Sequence, residues 1–370
     1  MTGMMRFDSE SQANCNGNRV TNVQKLDILS LGLDELTQRV QALGEPKYRA
    51  VQVYRWLHEK TVSSFDEMTN ISAQFRTKLD DIFYINSLNI AKKLVSSIDN
   101  TIKYLYELGD GHHVETVLMR YKHGNSLCIS TQVGCKMGCG FCASAIAGFV
   151  RNLSASEMLS QIYETERDTG ERLSTIVLMG IGEPLDNYDN TVAFLDILSS
   201  PEGRNMSLRH VSVSTCGLAD KIYDLAQRKY GVTLSVSLHA PTDEQRSGIM
   251  PVNRRFSIAE LMEACRFYTD KTGRRISFEY ALIRGVNDTK ECAQGLIGLL
   301  KGMLCHVNLI PVNEVAERKD RYRAGTAQSV AAFQKMLEQG GLNVTVRRTL
   351  GVDINAACGQ LRREQTLQGL

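Results

Sequence analysis

Apolar positions along this chain recur in two alternating rhythms. Short apolar runs at 127–130, 175–179, 211–214, 233–239, 276–282, 307–310 and 344–348 read as strands. Between them, segments near 189–198, 220–229, 257–271, 290–300 and 328–339 carry the wider spacing of amphipathic helices. The tetrad Ser154-Ala155-Ser156-Glu157 is a capping-box pattern that starts a further helix through Arg167. Strands separated by helix-length segments predict parallel βαβ units. The fold class is α/β, and six such units predict an open, partial (β/α)6 TIM-like barrel.

The first hundred residues follow a different pattern. Residues 1–24 are polar, rich in Asn, Ser and Gly, and read as a disordered tail. Stretches 33–43, 47–60 and 65–82 read as amphipathic helices, with Gly44-Glu45-Pro46 breaking the first from the second. The expected organisation is a small helical N-terminal domain over 25–100, connecting strands over 101–120, the barrel over 121–353 and a tail over 354–370. Residues 48–57 mix cationic and aromatic side chains. That mixture suits gripping a nucleic-acid backbone and stacking on bases. It equally suits an ordinary helix that packs Tyr54 and Trp56 inward.

Composition narrows the setting. With 370 residues, 43% of them hydrophobic, the chain can bury a sizeable core. No run approaches the roughly 18 apolar residues of a membrane span, and the opening residues lack a secretory apolar segment. A net charge of +2 neither demands nor excludes nucleic acid. Basic pairs and clusters at 254–255, 274–275, 318–323, 347–348 and 362–363 read singly as solvated faces. The ten cysteines are unevenly spaced and fit a reducing, cytoplasmic setting better than a disulfide framework.

Three of those cysteines carry the chemistry. Cys135, Cys139 and Cys142 form a C-x3-C-x2-C triplet in a Gly-rich loop that follows the 127–130 strand. A structural zinc site and a closed ferredoxin cluster each take four ligands. A tight triplet without a fourth partner points to a four-iron–four-sulfur (4Fe–4S) cluster with one iron open. The alternative is a zinc knuckle completed by a distant Cys or His. Loops at the carboxyl ends of barrel strands are where such chemistry sits. A second motif, Met179-Gly180-Ile181-Gly182-Glu183-Pro184-Leu185, follows the next strand and offers a close backbone approach and a carboxylate for an ammonium. Ser214, Ser237, His239 and Asn313 end later strands on the same side.

The triplet spacing resembles the radical S-adenosylmethionine (radical SAM) superfamily, and the Gly182-Glu183 loop resembles its SAM-binding "GGE" loop. The wider text is more specific. Leu43-Gly44-Glu45-Pro46-Lys47-Tyr48-Arg49-Ala50, Val114-Glu115-Thr116-Val117, Ser130-Thr131-Gln132-Val133-Gly134-Cys135, Ser237-Leu238-His239-Ala240-Pro241 and Ala356-Ala357-Cys358-Gly359-Gln360-Leu361 closely resemble the RlmN type of dual-specificity RNA adenine methyltransferase. The likeness runs over roughly residues 25–362.

That resemblance implies a function. Carbon 2 of an adenosine in 23S rRNA (adenosine 2503, in the peptidyl transferase centre) would be methylated, with adenosine 37 of tRNAs as a further target. One cluster would sit on Cys135, Cys139 and Cys142, and SAM would contact Gly182, Glu183, Ser214, Ser237, Leu238, His239 and Asn313. Two SAM molecules would be used, one as methyl donor and one as radical source. Cys358 would carry the methyl as S-methylcysteine, Cys128 would release the product through a transient disulfide with Cys358, and Glu115 would accept a proton. Whether Glu115 or Cys128 takes the carbon-2 proton stays open. The resemblance further implies a flavodoxin-like or other one-electron donor, no membrane partner and a monomer. The rival reading is a Cfr-type carbon-8 methyltransferase; a rival of another class is a non-catalytic zinc and RNA-binding protein. Cys216 reads as structural, and Cys15, Cys265, Cys292 and Cys305 as chemically silent.

Overall fold

A computed structural model describes residues 25–146, 148–313, 318 and 320–356. The sequence reading of residues 1–24, including Cys15, and those of Cys358 and the 362–363 arginines fall outside the described residues.

The chain begins with β1 (Leu26–Asp27), α1 (Leu33–Ala42), α2 (Lys47–His58), α3 (Ala73–Ile82) and β2 (Phe83–Tyr84), with β1 and β2 paired in parallel. The expected helix over 65–82 is two elements. Ser64 caps a short 3-10 turn, Phe65–Glu67, through a capping box, and Ser72 accepts from the Phe75 amide to start α3. Two N-caps eight residues apart leave no room for one continuous helix.

Next come β3 (Asn89–Val95), β4 (Ile102–Glu107), β5 (His113–Tyr121) and β6 (Gly124–Cys128), an antiparallel meander. β3 lies in a stretch read as part of the helical segment. Six of its seven residues are exposed and the other is half-buried, so neither face writes an alternating apolar pattern. The hairpin of β7 (Gln132–Gly134) and β8 (Phe149–Asn152) then flanks the cysteine loop.

From there the predicted alternation holds. It runs α4 (Ala155–Thr169), β9 (Thr175–Leu178), α5 (Tyr188–Ser199), β10 (Val211–Thr215), α6 (Ala219–Arg228), β11 (Thr233–Ser237), α7 (Asp243–Ile249), α8 (Ile258–Thr272), β12 (Ile276–Leu282), α9 (Lys290–Leu300), β13 (Cys305–Pro311), α10 (Ala327–Gln339) and β14 (Val344–Val346). The helix begun by the Ser154–Glu157 capping box ends at Gly170, which adopts a left-handed conformation.

One ten-stranded sheet has the order β14-β13-β12-β11-β10-β9-β6-β5-β4-β3. Strands β6 and β9 through β14 are parallel, each beside its predecessor in the chain. Crossovers of one hand place the helices on one face and let the sheet curl. The ring does not close, because β6 takes β5 as its second neighbour and β14 is an edge. This is the expected partial barrel, extended by three antiparallel strands. Leu127, Ile176, Val213, Leu234, Phe278 and Leu309 lie in the core between sheet and helices.

Candidate functional site

The cysteine loop is held from several sides. Gly134, at φ +80°, turns the chain where an added Cβ would stand 1.8 Å from the Gly148 carbonyl oxygen, so only glycine fits. The Cys135 amide donates to that same carbonyl at 3.0 Å, and the Gly140 amide donates to Ile249 at 2.7 Å. Arg318 donates to the carbonyl oxygens of Cys139 and Gly140. The spacing of the triplet is thereby translated into a fixed loop over the open end of the barrel.

Cys135, Cys139 and Cys142 line a cavity of about 260 Å³ together with Gly182, Glu183, Ser214, Ser237, His239 and Asn313. Six residues expected at a ligand thus meet the three thiols in one space. Leu238 does not: its side chain is buried in the core, and its carbonyl accepts from Arg246 Nε at 3.1 Å.

The cavity side chains are set by their neighbours. Burial pushes the Glu183 carboxyl up, against the opposing donors that hold it: the Cys216 amide at 2.6 Å and the Leu185 amide at 3.0 Å. An ammonium entering the cavity would favour its charged form. Burial pulls His239 down to about 3, so its ring is neutral. Its Nδ1 accepts from the Ala281 amide at 2.8 Å, which places the ring proton on Nε2. His239 sits at φ +58°, a left-handed position for a non-glycine residue at the end of β11, and Phe141 of the cysteine loop meets its ring edge-on at 4.9 Å. Arg246 is wholly buried and donates to the carbonyls of Leu238, Cys216 and Ser237, tying three barrel-end segments together.

The donor set fits an iron–sulfur cluster. Burial pushes Cys135 up to about 12 and Cys139 higher still, thiols that would lose their protons on binding metal. Among the described residues no three His, Cys, Asp or Glu side chains are grouped to share one metal ion. The three thiols line one cavity, where each would be available to bind one iron of a cluster.

A second cleft opens beside the first. Glu115, Cys128, Met179, Gly180, Asn313 and Arg347 are among its lining, and Met179, Gly180, Ile310, Asn313 and Arg347 line both spaces. Cys128 is the last residue of β6 and Glu115 faces the same cleft from β5. Burial raises the Cys128 thiol, and the positive charge of Arg347 opposes the rise. Glu115 is 2% exposed, with its carboxylate 3.0 Å from Lys103 Nζ.

Several lining residues went unpredicted. Glu279 in β12 lines the cavity, buried and pushed up, with Asn308 donating to it at 2.8 Å. A carboxylate inside the apolar run Ile276-Ser277-Phe278-Glu279-Tyr280-Ala281-Leu282 was the available signal. Arg347 stood in a basic pair read as a solvated face, yet it lines both spaces. Cys216, read as structural, is buried on the cavity wall with its amide on Glu183. Cys265, Cys292 and Cys305 are buried. In α2, Tyr54 is packed inward and the Trp56 ring donates to Asn70, whereas Tyr48 is exposed with the Arg49 guanidinium over it.

Comparison with known proteins places the chain in a family. Residues 26–85 match the "Ribosomal RNA large subunit methyltransferase N-terminal domain" model, and residues 129–293 match the radical SAM superfamily. A Lachnoclostridium phytofermentans protein named "Probable dual-specificity RNA methyltransferase RlmN" is 51% identical, covering 93% of this chain and 96% of its own. An Alkaliphilus oremlandii protein of the same name is 53% identical, covering 92% and 99%. The crystal structure of a radical SAM methyltransferase from Sphaerobacter thermophilus superimposes with a TM-score of 0.85 at 42% identity, covering 90% of this chain and 98% of that one.

Proposed function

The chain belongs to the RlmN dual-specificity RNA methyltransferases, and from that premise we propose that it methylates carbon 2 of an adenosine in 23S rRNA and in tRNA. It is a SAM-dependent RNA methyltransferase of the radical SAM type. The observation that carries the finer reading is the shared wall: the cysteine-lined cavity and the Glu115–Cys128 cleft meet along Met179, Gly180, Ile310, Asn313 and Arg347. SAM held in the first space would lie one shared wall away from Glu115 and Cys128 in the second.

In this reading Cys135, Cys139 and Cys142 hold one 4Fe–4S cluster, and Glu183 takes the SAM ammonium. Ser214, Ser237, His239 and Asn313 supply polar contacts around the rest of SAM, with the His239 ring proton available as a donor. When bound, the cluster and SAM supply one-electron cleavage of a sulfonium carbon–sulfur bond. The chain's own groups do the remainder. Cys358 carries the methyl as a thioether, Glu115 receives a proton from the ring, and Cys128 attacks the Cys358 sulfur to free the product, leaving a disulfide. Two SAM molecules serve each cycle, a flavodoxin-like or other one-electron donor supplies the electron, and the enzyme works as a cytoplasmic monomer. No helix among the described residues is long and apolar enough to cross a membrane. Exposed Tyr48 with half-buried Arg49 on α2, and Arg348 at the cleft, supply groups that suit RNA contact.

An anaerobic assay with reconstituted enzyme, SAM, a one-electron reductant and either an rRNA fragment or tRNA tests this. Mass spectrometry of digested RNA should show 2-methyladenosine together with deoxyadenosine. Alanine at Cys135, Cys139 or Cys142 should abolish both products and the iron load. An 8-methyl product, or turnover by an iron-free protein, would overturn the proposal.

A further inference from the structure

Lys103, the second residue of β4, has no exposed surface. Its Nζ stands 3.0 Å from Glu115 Oε2 and donates to the Asn355 carbonyl oxygen at 2.9 Å. Register explains the first contact. Leu105 pairs with Glu115 and Lys103 with Val117, so Lys103 and Glu115 are diagonal neighbours on one face of the β4–β5 ladder.

Burying an ammonium and a carboxylate is costly, and an apolar pair of similar volume would serve the ladder as well or better. Stability therefore gives little reason for this pair, whereas its location does. Glu115 lines the cleft with Cys128. Asn355 closes the 3-10 turn Val352–Ile354 in a left-handed conformation, three residues before Cys358. The same turn is moored at two further points: Asp353 accepts from Ser96 and Ser97, and the Gly351 amide donates to Asp99 at 2.8 Å. Of these moorings, the Lys103 ammonium alone also touches a cleft carboxylate.

We propose that Lys103 is a positioning residue for the RNA-methylation step, holding the Glu115 carboxylate and the Asn355 carbonyl in one register. The proton acceptor and the segment leading to the methyl-bearing thiol are then presented to the same adenine. The proposal rests on the roles given above to Glu115 and Cys358.

The test uses the full-length reconstituted enzyme and reads iron load, kcat and KM for RNA methylation. Lys103→Met should keep its iron and its KM for RNA but lose about a hundredfold or more in kcat, the scale of a misplaced general base. Because part of its effect passes through Glu115, Lys103→Met should cost clearly less in kcat on the Glu115→Gln background than in the parent. That double variant buries no charge at the pair and should fold even if Lys103→Met does not. In that event Lys103→Gln, a neutral donor to both partners, is read on the same kcat scale. Lys103 variants turning over within about threefold of the parent, with Glu115→Gln inactive, would overturn the proposal, as would losses that multiply in the double variant. Glu115→Gln at the parent rate would instead sink the proton-acceptor role, and the positioning role with it.

Discussion

Glu183 and Cys216 are joined across the barrel mouth: the amide of Cys216, just past β10, donates to Glu183 Oε2 at 2.6 Å. The loop after β9 and the loop after β10 therefore share one carboxylate, already oriented before any ligand arrives. A second amide, from Leu185, holds the other oxygen. The side chains of Thr215 and Cys216 join them, and the carboxylate still borders the cavity that a cationic ligand would enter.

Glu183→Gln should weaken SAM binding about 10- to 100-fold, the value of a charge-assisted hydrogen bond. Iron load should stay at the parent level, because the thiols are untouched. Anaerobic equilibrium dialysis with labelled SAM checks this; unchanged affinity would remove Glu183 from the ammonium site.

A second prediction concerns the strand end that enters the cysteine loop. Gln161 of α4 is wholly buried, accepts from the Ser130 amide at 2.8 Å and donates to the Ser130 carbonyl at 2.9 Å. Thr116 also donates to it. Gln161→Leu strands all three groups away from water and should cost about 2–3 kcal/mol. Urea unfolding measures it, and a loss under about 0.5 kcal/mol would show that other partners replace the glutamine.

Cys128 should act after the RNA is engaged. Cys128→Ala is expected to hold its cluster and form a protein–RNA adduct visible on a denaturing gel. The Cys128/Cys358 double alanine variant should show none. Ordinary turnover by Cys128→Ala would mean that product release needs no second thiol.

The chain also carries a pH dependence far from the cavity. His58 is wholly buried, its Nδ1 lies 2.9 Å from the Tyr163 hydroxyl, and burial pulls it down to about 3. The unfolded chain, with a value near 6.5, binds a proton that the fold refuses. His58 costs the fold little above pH 7, and the cost grows as pH falls from 6.5 toward 3. At pH 5 it reaches about 2 kcal/mol. Chemical unfolding of the parent and of His58→Gln at pH 7 and pH 5 reads the difference; an equal pH drop in both would assign the acid sensitivity elsewhere.

These contacts show what a linear text conveys and what it conceals. The parallel strands were legible because burial puts an apolar residue at every second position or more often, as in Thr233-Leu234-Ser235-Val236-Ser237 and Thr175-Ile176-Val177-Leu178. The triplet was legible because its ligands lie within eight residues. Strand β3 was not, since an exposed edge imposes no pattern on Asn89–Val95. Lys103, Glu279 and Arg246 were not either. Each is a single charge whose meaning comes from partners brought by other elements, and sequence spacing does not record which. Cys216 illustrates the limit from the other direction. Its thiol was assigned no chemistry, yet both its amide and its side chain meet Glu183.

The open ring has one more consequence. β14 and β3 are opposite margins of the sheet, and the segment that leaves β14 returns to the β3–β4 turn through Gly351, Asp353 and Asn355. A closed barrel is a hoop of continuous strand pairing that cannot widen without tearing. Here the circle is completed by a buckle of a few side-chain hydrogen bonds, each worth on the order of 1 kcal/mol. Unfastening it breaks no strand pair, so the two margins of the sheet are tied only as strongly as those few bonds.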